Sequence, residues 1–171
     1  GGYGFGAAWI ARIAQDEGID AVACGDPDDA RAIRAAGVTL PILLYGTVPA
    51  EALPALAPLD VIVTAHDTAS FATCLAHDLA FSLEFDVGLH RLGFGEDDLD
   101  AIVAAAHAHP HARLHGLYAH LTDLDIVAAV ATQAMRFESM AKRLEATPWR
   151  GRERMVASSR VLLRSGTLAM D

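Results

Sequence analysis

The 171-residue chain sets 22 acidic against 13 basic residues, a net charge of −9, and is 53% hydrophobic and 20% charged. Such a chain can bury a sizeable core and is not disordered. The acidic balance, with no basic stripe, argues against nucleic acid or an anionic membrane as partner. Its longest apolar runs, Ala101 to Ala106 and Ile126 to Ala131, fall far short of the about 20 residues of a membrane span. No n-region and h-region open the chain, so no signal peptide is visible in it. The start at Gly1-Gly2, without methionine, suggests that the natural N-terminus is missing. Cys24 and Cys74 have no metal-type spacing and read as reduced, buried thiols, so a cytoplasmic location is expected.

In chain order, Gly1-Gly2-Tyr3-Gly4-Phe5-Gly6 is a glycine-rich loop that opens a helix over Ala7 to Glu17. Trp9, Ile10 and Ile13 share one face of it, and Gly18 ends it. Ile19 to Cys24 is a short apolar run of buried-strand type. Asp26-Pro27, an N-cap followed by proline at the first helical position, starts a helix that ends at Gly37. Pro41 to Tyr45 predicts a strand, Pro49 to Ala57 a helix, Asp60 to Thr64 a strand and Thr68 to Leu79 a helix. Ser82 to Val87 is the most unusual strand, because Ser82, Glu84 and Asp86 alternate against Leu83, Phe85 and Val87. A helix follows from Glu96 to about His109, then a strand over Arg113 to Leu121. Asp125 to Ala146 is the longest helix, with apolar positions at Ile126, Val130, Met135, Phe137 and Met140. After the linker-like Pro148-Trp149-Arg150-Gly151-Arg152, a sixth strand is read over Met155 to Ser159, and a further element over Val161 to Met170.

Strands alternating with helices at short intervals give a parallel α/β array, either an open doubly wound sheet or a (β/α)8 barrel of the TIM type. Gly2-Tyr3-Gly4-Phe5-Gly6 has the wrong spacing for a dinucleotide fingerprint. Six units, beginning on a loop and ending within an element, favour a barrel with strands missing at both ends.

In a barrel the chemistry lies where strands end. Those positions hold Tyr3, Tyr45, Glu84, Asp86, Arg91, Tyr118, His120, Ser158 and Ser159. The Tyr3 loop leads into a helix N-terminus, which suits a phosphate or carboxylate; it serves a tight turn equally well. Ser158 and Ser159 offer two small donors to an anion, or a helix cap. A lone His120 is more often structural than functional. Glu84 requires a partner, because a charge buried alone is expensive, and Arg91 is the natural one. His107, His109, His111 and His115 cluster at the opposite end from these residues and match no zinc pattern, so no metal site is expected.

Several motifs are similar to those of alanine racemases. They are Tyr3-Gly4-x-Gly6, Arg31-x-x-Arg34-Ala35-Ala36-Gly37, Pro41-Ile42-Leu43, Asp86-x-Gly88-x-x-Arg91-Leu92-Gly93-Phe94, Gly116-x-Tyr118-x-His120, Gln133-x-x-x-Phe137 and Ser158-Ser159. The resemblance spans nearly the whole chain, and Asp86 to Phe94 is its most specific part. It implies that residues 1–171 are most of a barrel domain binding pyridoxal 5′-phosphate (PLP), with the first and last strands and a C-terminal β-domain not covered. Those enzymes invert the α-carbon of alanine through a carbanion spread into the cofactor ring. The implied function is interconversion of L- and D-alanine for peptidoglycan precursors, by a homodimer acting on a small amino acid. Another PLP barrel enzyme of the same fold type (a broader racemase or a decarboxylase), or a degenerate PLP-binding homologue, are the alternatives.

By resemblance, Tyr3 and Ser159 contact the cofactor phosphate. Arg91 reaches the phenolic oxygen and the substrate carboxylate, His120 lies against the pyridine ring, and Ser158 stands where asparagine is common. The family's lysine falls before Gly1, and Lys142, the only lysine present, lies too far along the long helix to replace it. The arginine that faces the pyridine nitrogen would follow Asp171, and the tyrosine base comes from the partner subunit's second domain. This segment alone is therefore expected to be inactive. Glu84 stands where many relatives carry a carbamylated lysine, and it supplies the same negative charge to orient Arg91. Asp86 reads as a carboxylate bracing the turn. His90 and Phe5 replace the usual asparagine and histidine.

Overall fold

The structure is a computed structural model that describes residues 1–156. Six strands follow one another in chain order in a single sheet, β1 (Val22–Cys24), β2 (Ile42–Leu44), β3 (Ile62–Ala65), β4 (Phe81–Glu84), β5 (Leu114–Tyr118) and β6 (Glu153–Met155). Helices alternate with them: α1 (Ala7–Asp16), α2 (Pro27–Ala35), α3 (Thr68–Ala76), α4 (Leu99–Ala108) and α5 (Val127–Leu144). Parallel strands in sequential order joined by helical crossovers are the topology of a (β/α)8 barrel, six of whose strands lie among the described residues. The expected Val161 to Met170 element and the end of the sixth strand lie outside the described residues.

The chain divides into two compact units, Gly1–Thr64 with Ala69–Phe81, and Ala65–Thr68 with Ser82 onward. In the first, β1 and β2 pair in parallel with Val22 opposite Ile42, and β2 and β3 with Leu43 opposite Ile62. Asp26 caps α2 as its sequence predicts, its Oδ1 accepting the Asp28 N–H at 2.8 Å. Arg34 at the end of α2 donates to the carbonyls of Leu40 (2.7 Å), Leu59 (2.8 Å), Val38 and Asp60 (both 3.0 Å). One guanidinium thereby ties the loop before β2 to the turn before β3.

The Pro49 to Ala57 segment is a 3₁₀ helix over Ala50–Leu59 rather than an α-helix. Pro54 and Pro58 lie within it, and each lacks the N–H that an α-helical ladder needs. The apolar face of α1 is not core: Trp9 is 57% exposed and Ile13 39%, and only Ala11 of this helix is buried.

The second unit packs around α5. Val130, Gln133, Ala134, Phe137, Met140, Ala141 and Leu144 are buried at spacings of three and four, the stripe of a helix lying on a sheet. Met135 falls off that stripe and is exposed, and Ile126 precedes the first turn and is exposed as well, contrary to the expectation for both. Phe137 packs on Phe85 with ring centroids 6.2 Å apart. Trp149, fully buried, donates its indole N–H to the His109 carbonyl at 3.0 Å. β5 and β6 pair in parallel, Gly116 opposite Glu153. The approach there is close and suits glycine, since a Cβ on residue 116 would sit 3.0 Å from the Glu153 carbonyl oxygen.

Candidate functional site at the end of the fourth strand

β4 ends on Glu84, which is 2% exposed. Its Oε2 accepts the phenolic hydroxyl of Tyr118 at 3.1 Å, and its Oε1 lies 3.2 Å from Nδ1 of His120. Tyr118 closes β5 and is 3% exposed, while the His120 side chain is 46% exposed. The two rings meet edge to face, with centroids 5.9 Å apart. A buried carboxylate is thus held between a buried phenol and a half-exposed imidazole, three residues from the ends of adjacent strands. Arg91, the partner expected from the sequence, is exposed, and both oxygens of Glu84 are engaged by Tyr118 and His120. Tyr118 stood among the strand-end positions in the sequence but had no role there. The signal for one was its two-residue spacing from His120, which puts both side chains on one face of an extended segment. Ser82, two residues before Glu84, is 2% exposed and its Oγ has no hydrogen-bond partner.

Beyond β4 the chain folds back on itself. Phe94 N–H donates to the Glu84 carbonyl at 2.8 Å, and Asp86 N–H to the Phe94 carbonyl at 2.9 Å. Gly93 makes this possible: its φ is +105°, and a Cβ there would sit 2.8 Å from the Asp86 nitrogen and 2.9 Å from the Glu84 oxygen. Asp86 braces the turn as its position predicts. Its Oδ1 accepts the N–H groups of Gly88 (2.9 Å) and His90 (3.0 Å), and its Oδ2 lies 3.0 Å from the His90 imidazole. Partial burial raises the Asp86 carboxyl, but the bonds from His90 and Gly88 and the nearby imidazole charge outweigh it and hold the group below the usual carboxylate range. His90 adopts a left-handed φ of 54°. From α5, Arg136 bonds the Glu96 carboxylate at 3.1 Å and reaches the Val87 carbonyl at 3.5 Å. Gln133 locks the segment after His120 by two bonds to Thr122, at 2.8 and 3.0 Å. The 86–94 loop that carries Arg91 is therefore fixed at its base while the arginine stays exposed.

Tyr3 lies in the first unit, at the turn before α1. Its φ is 54°, between glycines with φ of 60° and 93°, and its side chain is fully exposed. Beside this turn is a cavity of about 330 Å³, lined by Tyr3, Ile10, Val22, Cys24, Asp29 and Ile33 among others. Ser158 and Ser159 lie outside the described residues. The histidines at 107, 109 and 111 are exposed, His115 Nδ1 lies 3.6 Å from a Glu153 carboxylate oxygen, and among the described residues no three His, Cys, Asp or Glu side chains are grouped to hold a metal.

The fold defines a β/α-barrel domain. The solved alanine racemase of Clostridium difficile 630 superposes with a TM-score of 0.85, covering 97% of this chain and 46% of that one at 22% identity. That of Streptomyces lavendulae gives 0.83, covering 96% and 46% at 24% identity. The family model described as "Alanine racemase, N-terminal domain" matches residues 1–171, and the chain belongs to that family. Among curated relatives, the alanine racemase of Geobacillus stearothermophilus is 34% identical over 154 residues, which is 85% of this chain and 40% of that protein. That of Acidithiobacillus ferrooxidans is 33% identical over 72% of this chain and 35% of its own length. The chain thus spans less than half the length of these relatives.

Proposed function

We propose that residues 1–171 are the PLP-binding barrel domain of an alanine racemase, a cytoplasmic homodimer that interconverts L- and D-alanine for peptidoglycan precursors. The single observation that supports this reading best is the Glu84–Tyr118–His120 cluster at the strand ends, in a chain whose family model covers every residue. The donors of the second unit fit an anionic, ring-shaped cofactor: a half-exposed imidazole held from behind, an exposed arginine on a braced loop, and a buried serine hydroxyl without a protein partner.

When bound, PLP would supply an electron sink for the substrate α-carbon. The protein's residues bind and orient. Arg91 would present a planar, permanently charged donor fork to the phenolic oxygen and to a substrate carboxylate. His120 would present its ring to the pyridine. By the resemblance Tyr3 would donate to the phosphate; Ser158 and Ser159, which the resemblance assigns to it as well, lie outside the described residues. Glu84 acts within this set by holding a neighbouring side chain, and the geometry favours His120 over Arg91 for that role.

The test uses the full-length protein. Added PLP should produce a visible absorbance band that borohydride abolishes, and L-alanine should be converted to the D-form in a chiral assay. Arg91→Lys should lower kcat/KM on the order of 100-fold, about 2.7 kcal/mol of lost transition-state binding, because an ammonium cannot replace the bidentate fork. A protein that neither binds PLP nor racemises alanine would end this reading.

A further inference from the structure

We infer that Glu84 is a positioning residue for His120: it fixes the imidazole as its Nδ1–H tautomer and sets the ring plane, while Tyr118 steadies the carboxylate from its other side. Three observations carry this. Glu84 is buried, and its two oxygens are divided between the two side chains, Oε2 to Tyr118 at 3.1 Å and Oε1 to His120 Nδ1 at 3.2 Å. An ionised carboxylate can only accept hydrogen bonds, so the hydrogen of that contact belongs to Nδ1 and the basic lone pair of the neutral ring to Nε2. The edge-to-face contact with Tyr118, at 5.9 Å and 71°, restrains the ring from a second direction. The imidazole is therefore held at one nitrogen by a buried charge while nearly half of its side chain remains exposed.

A carboxylate behind a histidine selects the tautomer and orientation that the ring shows to whatever lies in front of it. In the proposed enzyme, that is the cofactor ring. The catalytic consequence rests on the PLP reading; the tautomer does not. Glu84 then acts without touching substrate or cofactor, and the negative charge at this position works through the imidazole rather than through Arg91.

The experiment records histidine side-chain ¹H–¹⁵N correlations of the full-length apoprotein, with His120 assigned from a His120→Asn variant. The expected wild-type signature is a protonated Nδ1 and an unprotonated Nε2 at neutral pH. Glu84→Met, which removes the acceptor at similar length, should switch the ring to the Nε2–H form. Tyr118→Phe should leave the Nδ1–H form in place, because the Glu84 contact is retained. An Nε2–H signature in the wild type, or one that Glu84→Met leaves unchanged, overturns the inference. Should Glu84→Met fail to fold, the wild-type and Tyr118→Phe spectra decide it alone. In the PLP-loaded enzyme Glu84→Met should lower kcat about tenfold with the KM for alanine little changed. If the tautomer behaves as expected while the wild type fails to bind PLP or racemise alanine, the positioning role stands and the racemase reading falls.

Discussion

Asp86 is the residue whose chemistry governs the loop that carries Arg91. It accepts two backbone N–H groups and pairs with His90, and these bonds hold its carboxyl below the ordinary range despite partial burial. Replacing it with alanine should cost about 1–2 kcal/mol in chemical denaturation, the range for losing a side-chain cap on backbone donors. Asparagine should cost less, since its amide oxygen still accepts. The pH dependence has a definite sign. A carboxyl whose pKa is depressed in the folded state contributes its full stabilisation above the unfolded value, about 3.9, and loses it as pH falls through the lower folded value. The gap in unfolding free energy between wild type and Asp86→Asn should be present in full near pH 5 and shrink in acid below about pH 4. A gap that widens in acid would show that the carboxylate is not what closes the turn. Cys74 makes a second residue-scale case. Burial pushes its thiol up to about 12, so almost no thiolate exists at pH 8. A disulfide-exchange reagent should leave it unlabelled in the native protein and modify it at the free-thiol rate in denaturant.

At the scale of elements, α5 is the prop of the second unit. Phe137 is fully buried against Phe85, so Phe137→Ala should cost about 3–5 kcal/mol, the range for a truncated core phenylalanine. The result should appear as a lower denaturation midpoint with an unchanged slope. Elements with strong punctuation were legible in the sequence: Asp26-Pro27 marks the start of α2, and the alternation of Ser82, Glu84 and Asp86 marks a strand with a polar face. Less legible were elements decided by competition. In Ala50–Leu59, apolar helix formers disguise two prolines that force the tighter helix. In α5, Met135 and Phe137 are equally apolar, but only the second lies on the stripe that faces the sheet. The candidate site divides in the same way. Strand-end position alone nominates Glu84, Tyr118 and His120. Which of them touch depends on the register between β4 and β5 and on a loop that folds back at Gly93, and one sequence contains neither directly.

At the scale of the whole chain, the largest anomaly is apolar surface near its start. Tyr3 (104%), Phe5 (69%), Trp9 (57%), Ile19 (51%), Ile10 and Ile13 (both 39%) are all exposed within the first 19 residues. Scattered apolar side chains on a surface need no account, but Trp9, Ile10 and Ile13 share one short helix and the Phe5 and Trp9 rings lie 6.4 Å apart, an apolar surface of the kind that associates. The edge adds to it in the isolated segment: among the described residues β1 stands first in the sheet order, next to β2, and a strand edge left unpaired is a template for another chain. A net charge of −9 opposes association between copies, but charge acts weakly across a Debye length of about 10 Å at 0.1 M salt. Apolar burial, at about 25 cal/mol per Å², is not screened. The 171-residue chain expressed by itself should therefore self-associate with concentration, and added salt should enhance the effect. Trp9→Lys with Ile13→Lys should relieve it at little cost in stability, because the side of α1 that packs is the one carrying Ala11. Sedimentation velocity across a concentration and salt series measures this. A wild-type chain that stays monomeric throughout, or a double variant that associates as strongly, would show that the exposed face of α1 is not what drives association.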